Sequence, residues 1–147
     1  MRLVRHLRLI GFCAALLAAL VVAAPAAAER FKGTSHPYGV KIRLDTKPNG
    51  KPFSLYYGPH HVPCTNGYRL GFHVGGANPP FDRVSTTELV DRYHHVNHDG
   101  SDIVIVSKVH KRGNSWHGRF HAHWYWVDHG EIASRCKIAF SYDLEPQ

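Results

Sequence analysis

A two-residue rhythm constrains this chain more than any other feature of its sequence. It is clearest between Ser115 and Val127, where Trp116, Gly118, Phe120, Ala122, Trp124 and Trp126 alternate with His117, Arg119, His121, His123 and Tyr125. Successive side chains of a strand point to opposite faces, so this segment reads as a ribbon with a dry indole face and a wet imidazole face. The same alternation recurs in Tyr38–Leu44, Phe53–Tyr57, Tyr68–Val74, Asp102–His110 and Ile132–Tyr142. It is weaker in Leu89–Val96. No segment sustains a helical period. Ser85 with Glu88 three residues on has the form of a helix-start box, so spacing alone leaves residues 81–98 open between helix and strand.

Turn signals separate the runs: Asn49-Gly50, Asn66-Gly67, Gly75-Gly76 before Pro79-Pro80, Asp99-Gly100, Arg112-Gly113-Asn114 and His129-Gly130. About seven short strands punctuated in this way predict an all-β fold, an antiparallel β-sandwich, Ig-like or similar, or a small barrel. Composition agrees, with 44% hydrophobic residues, enough to pack a core.

The N-terminus reads differently. Arg2, Arg5 and Arg8 precede an apolar run from Leu9 to Ala24 and a Pro25-Ala26-Ala27-Ala28 processing site, the pattern of a signal peptide over residues 1–28. An uncleaved leader would be the only membrane contact. The remaining residues, 29–147, are expected to form one secreted or extracytoplasmic, monomeric domain. Two cysteines remain there, Cys64 and Cys136, and in an oxidising compartment a disulfide is the economical pairing. The competing thiol nucleophile or metal ligand requires a reduced cysteine.

Cleavage removes three arginines and no acid, so the formal charge falls from +7 to +4 while twelve of the thirteen histidines stay. Acidification through the ordinary histidine range, near pH ~6.5, therefore adds positive charge.

Loop lengths suggest the neighbours of the basic face. A four-residue hairpin at Lys111–Asn114 would set His121 beside Val104 and His123 beside Asp102. A loop from Val127 to Glu131 would set His123 beside Arg135 and His121 beside Lys137. A slip of one residue would bury Arg135 and Lys137, so the charges themselves select the register.

Three chemistries are open to this strand. His121 and His123 on one strand face have the spacing that begins a zinc or copper site, with His117 or His73 as a third ligand. Neighbouring cations oppose it, because unit charges ~6 Å apart repel by about 0.7 kcal/mol in water and nearly 3 at an effective dielectric of 20, doubled for a divalent ion. The same cations suit an acidic polymer, and Lys108, His117, Arg119, His121, Arg135 and Lys137 form the expected polyanion site, with no base-specific reading of nucleic acid. The aromatic stripe is more often core than sugar platform, although Trp116 or Trp126, at a strand end, could reach the surface. His60-His61, and His94-His95 with His98, are expected on exposed loops. No nucleophile elbow, phosphate-binding glycine loop or His-Glu-x-x-His helix occurs, so no catalytic residue and no cofactor is expected.

Gly33-Thr34-Ser35, Cys64-Thr65-Asn66-Gly67, Gly118-Arg119-Phe120 and Cys136 in the last strand together resemble small exported bacterial β-sandwich proteins with a single disulfide. The resemblance implies that fold and that bridge and carries no activity. The histidine-rich strand departs from the small polar strands of those proteins. The functional expectation is a non-catalytic binding or envelope-associated module for an acidic polymer or cell-envelope component, with metal binding at His121 and His123 as the alternative.

Overall fold

A computed structural model describes residues 27–72, 77 and 79–147. His73, and residues 1–26 of the expected leader, lie outside the described residues. The described chain forms ten strands: β1 (Arg30–His36), β2 (Lys41–Thr46), β3 (Pro52–Tyr57), β4 (His60–Pro63), β5 (Arg69–Phe72), β6 (Arg83–Val84), β7 (Glu88–Val96), β8 (Asp102–Arg112), β9 (Ser115–Asp128) and β10 (Glu131–Pro146). The expected all-β, antiparallel architecture with one disulfide is present. Eight strands share one hydrogen-bonded sheet in the order β3-β2-β1-β10-β9-β8-β7-β6, and β4-β5 form a separate hairpin.

The long sheet curves so that strands distant in its order meet across its inner face. On its inner face Tyr57 of β3 meets Phe120 of β9 at 4.7 Å between ring centroids and Tyr142 of β10 at 5.8 Å. Phe120 stacks on Phe140 at 4.8 Å, and Phe31 of β1 meets Trp116 edge-on at 6.3 Å. Such offset and edge-on pairs add to the burial of the rings themselves. The Tyr57 and Tyr142 hydroxyls share a buried hydrogen bond of 2.6 Å, and burial pushes both phenols above their ordinary pKa, keeping them neutral. Gly118 makes this packing possible, since a Cβ there would overlap the Tyr142 ring.

Three strands lie outside the sequence-based expectation. The short β6 closes onto β7 by a tight turn, and β1 hides its rhythm because its inward positions are Phe31, Gly33 and Ser35, only one of them apolar. Gly33 is required by close approach, as a side chain there would strike the backbone carbonyl of Asp143. β4 contains His60 and His61, which were expected on a surface loop. His60 is instead buried, its Nδ1 3.0 Å from the Gly58 carbonyl oxygen and its ring against Phe120 and Phe140. Residues 88–96 are strand, not helix. Ser85 Oγ accepts the Thr87 and Glu88 N–H groups, but the Ser85 N–H donates to the Glu88 carbonyl, so the cap-like serine closes a hairpin turn. His94 and His95 lie on β7 and are exposed.

Candidate functional site

Hairpin geometry corrects the expected neighbours of the basic face without moving any residue to the other face. β8 and β9 pair up to Arg112 and Ser115, leaving a two-residue turn in which Gly113 takes a φ of 58° at the first central position. The four-residue loop is thus replaced by a shorter one, and the register moves by two. His121 lies beside Val106, His123 beside Val104, and Asp102 beside Tyr125.

Between β9 and β10 a second two-residue turn, His129-Gly130, has φ values of 49° and 83°. An uninterrupted ladder from that turn would pair Arg135 with Trp124 and drive the charge inward. The register instead shifts between Ile132 and Ser134, where Ala133 is the extra residue of a bulge. Beyond it Arg135 lies beside Tyr125, Lys137 beside His123 and Ala139 beside His121. Charge does select the register as expected, through a bulge and with each basic partner displaced by two.

The resulting outer face is a ladder of rings edged by cations. His121 and His123 are 5.4 Å apart between centroids, and His123 and Tyr125 are 5.2 Å apart. Lys108 faces Arg119 directly across the β8–β9 ladder, while Lys137 and Arg135 flank the rings from β10. Among the described residues, no carboxylate lies within ion-pair distance of Lys108, Arg119, Arg135 or Lys137. The acids nearby lie against other groups: Asp102 Oδ1 is 2.9 Å from His94 Nε2, Asp143 is 2.7 Å from His117 Nδ1 and Glu88 is 3.3 Å from Arg83, and the two histidine neighbours carry charge only when protonated. From Arg119 to Tyr125 the stripe runs ~20 Å.

His117 stands apart from the ladder. Its ring is turned to Asp143 and packs against His110 at 5.2 Å, four residues along the strand from His121. His110 Nε2 accepts a hydrogen bond from Arg112 Nε at 3.0 Å. Burial, then the Arg112 charge, holds the His110 imidazole below its ordinary pKa. His121 is also held down, first by burial and then by His123 and Lys137. Among the described residues, no three His, Cys, Asp or Glu side chains group as metal ligands. The His121–His123 pair therefore has no third partner there, and Asp102, the one compensating anion expected beside His123, is two residues away.

A second feature lies on the inner face at the same end of β9. The Cys64–Cys136 disulfide, with Cα atoms 3.9 Å apart, pins the turn between β4 and β5 to β10. Beside the bridge, Thr65 N–H donates to the Arg135 carbonyl and Arg135 N–H to Thr65 Oγ1. Between that turn, the Asn97–Ser101 turn and β9 opens a cleft of about 270 Å³. Tyr68, Trp124 and Trp126 line it, with Asn66, Asn97, Asp99, Ser101 and Ser134 as polar neighbours and the disulfide cysteines alongside. Tyr68 and Trp126 are half exposed, at 54% and 50%. Of the two indoles named as surface candidates, Trp126 is at the surface and Trp116 is fully enclosed. Of the other lining residues, the cysteines were legible as a disulfide, Tyr68, Leu70 and Trp124 as strand positions, and Asn66 and Asp99 as turn formers; two turns converging on one strand end is a tertiary fact.

No model of a known protein family matches the chain, and no curated protein matches it.

Proposed function

We propose that the chain is a non-catalytic, extracytoplasmic binding module that holds an acidic polymer along the outer face of β9. The observation that carries this reading is the stripe of Lys108, Arg119, Lys137 and Arg135 beside the His121–His123–Tyr125 ladder, with no carboxylate among the described residues within ion-pair distance of those four cations. A linear polyanion presents charge at repeated intervals, and a row of uncompensated cations meets it with little desolvation of carboxylates on the protein side. The disulfide is consistent with an oxidising compartment, and the leader-like residues 1–28 support export.

Histidine makes this binding sensitive to pH with a definite sign. An imidazole held below its ordinary pKa is neutral at pH 7.5 and takes its proton only on stronger acidification. A bound polyanion favours the protonated ring, so binding takes up protons and strengthens as pH falls. Because His110 and His121 are held down, the gain continues below pH ~6.5, where a free imidazole is already half charged.

Heparin chromatography of the untagged mature protein tests the reading. Retention is expected at pH 7.5, rising at pH 5.5 and again at pH 5. The double variant Arg119→Ala/Lys137→Ala should elute at clearly lower salt at every pH, because each lost cation removes a counterion-releasing contact. Equal elution of the variant and the parent would overturn the assignment. Stoichiometric zinc or copper in protein purified without a histidine tag would replace it with metal binding at His121 and His123.

A further inference from the structure

The cleft beside the disulfide is a second site, distinct from the basic stripe in position, sign and chemistry. Its aromatic members leave the core: Trp126 and Tyr68 keep half their surface open, although each belongs to an otherwise apolar face. Exposed large rings converging on a concave surface are a recognition feature rather than a packing one. Its rim is polar and only partly committed. Asn66 Oδ1 accepts the Tyr68 N–H at 3.1 Å, leaving the Asn66 amide NH₂ for another partner. Asp99 Oδ1 accepts the Ser101 N–H at 2.8 Å.

Two buried polar atoms of the wall residues, Trp124 Nε1 and Ser134 Oγ, have no hydrogen-bond partner among the described residues. Ser134 is only 2% exposed.

Charge narrows the ligand. Among the described residues Asp99 is the one charged side chain lining the cleft, and its hydrogen bonds from Ser101 hold its carboxyl ionised below the usual range. Arg135 and Lys137 are on the opposite face of β10, turned away from the Cys136 side. An anion entering here would meet a carboxylate and no lining cation. A pyranose without an acidic group fits both halves of the surface, because its C–H face lies on an electron-rich ring while its hydroxyl edge meets amide, carboxylate and hydroxyl groups. An amino substituent adds attraction to Asp99.

We propose that this cleft binds an uncharged or amino-bearing sugar ring, stacked on Trp126 or Tyr68 and hydrogen-bonded at its edge by Asn66, Asn97 and Asp99.

The test uses the mature protein on an array of neutral, amino-bearing and uronic-acid oligosaccharides, followed by tryptophan fluorescence titration with the best binder. Binding is expected for neutral or amino-bearing sugars, with Trp126→Ala and Tyr68→Ala each weakening it by about tenfold or more. Asp99→Asn should remove any preference for the amino sugar while keeping neutral binding. Circular dichroism of each variant shows that the fold is kept, and Asn97→Ala provides a second rim variant that leaves both aromatic platforms in place. Absence of binding to every neutral and amino-bearing sugar overturns the proposal, as does binding that survives Trp126→Ala and Tyr68→Ala, or binding confined to uronic acids. Heparin retention by the Trp126→Ala protein separates the two sites. It should be unchanged, whereas Arg119→Ala/Lys137→Ala should lose heparin and keep the sugar.

Discussion

The two halves of β9 carry the same alternation and meet opposite fates. From Trp116 to Ala122 every inward residue is enclosed, with Trp116 at 0% and Phe120 at 1% exposure. From Trp124 onward the inward face opens, and Trp126 is 50% exposed. The pattern of the strand is unchanged between them; the cover is not. β1 and β3 fold over the first half, bringing Phe31 to Trp116 and Tyr57 to Phe120. The second half is roofed by the turn that the Cys64–Cys136 bridge holds in place, together with the Asn97–Ser101 turn, and these leave a cleft instead of a seal. Period decides which side a residue faces. Only the rest of the fold decides whether that side is closed.

Truncation should expose this contrast most strongly at its closed end. Trp116→Ala is expected to cost about 3–5 kcal/mol in urea unfolding, the range for emptying a large aromatic site in a packed core. A loss under 1 kcal/mol would mean that the closed half is looser than its packing indicates. Next in size is the tether of the open half. Cys64→Ser/Cys136→Ser should lower stability by up to about 4 kcal/mol on a chain-entropy estimate for so long a loop, and it should abolish the cleft while the stripe on the outer face keeps its heparin retention in the folded fraction. Smallest is Trp126→Ala, expected to change stability by less than about 0.5 kcal/mol, as surface substitutions usually do. A destabilisation comparable to that of Trp116→Ala would erase the distinction between the two halves.

Much of this was legible in the sequence because it follows from parity. The outward set of Arg119, His121, His123 and Tyr125 and the inward set of Trp116, Phe120 and Ala122 need only a period of two, and hairpin loops misjudged by two residues leave both sets where they were. Partners are more fragile than faces. His123 was expected beside Asp102 and Arg135, and it is beside Val104 and Lys137, because one turn is shorter than expected and the other is followed by a bulge. β1 escaped notice since Gly33 and Ser35 occupy inward positions that apolar counting passes over. His60 was hidden for a different reason. Its burial depends on Phe120 and Phe140, which are distant in the chain, and no local pattern marks it.

Ala133 illustrates how much can hang on a single added residue. It acts as a phase adjuster between a turn of fixed geometry and a strand sixteen residues long. Were Ala133 paired within the ladder instead of bulged out of it, the whole tail of the protein would be written in the wrong parity: Cys136 would look into solvent away from Cys64, and Arg135 and Lys137 would face the interior. Deleting Ala133, by contrast, would set Ser134 after Ile132 in a regular ladder and keep the covalent link, the oily interior and the positive exterior on the faces they now hold.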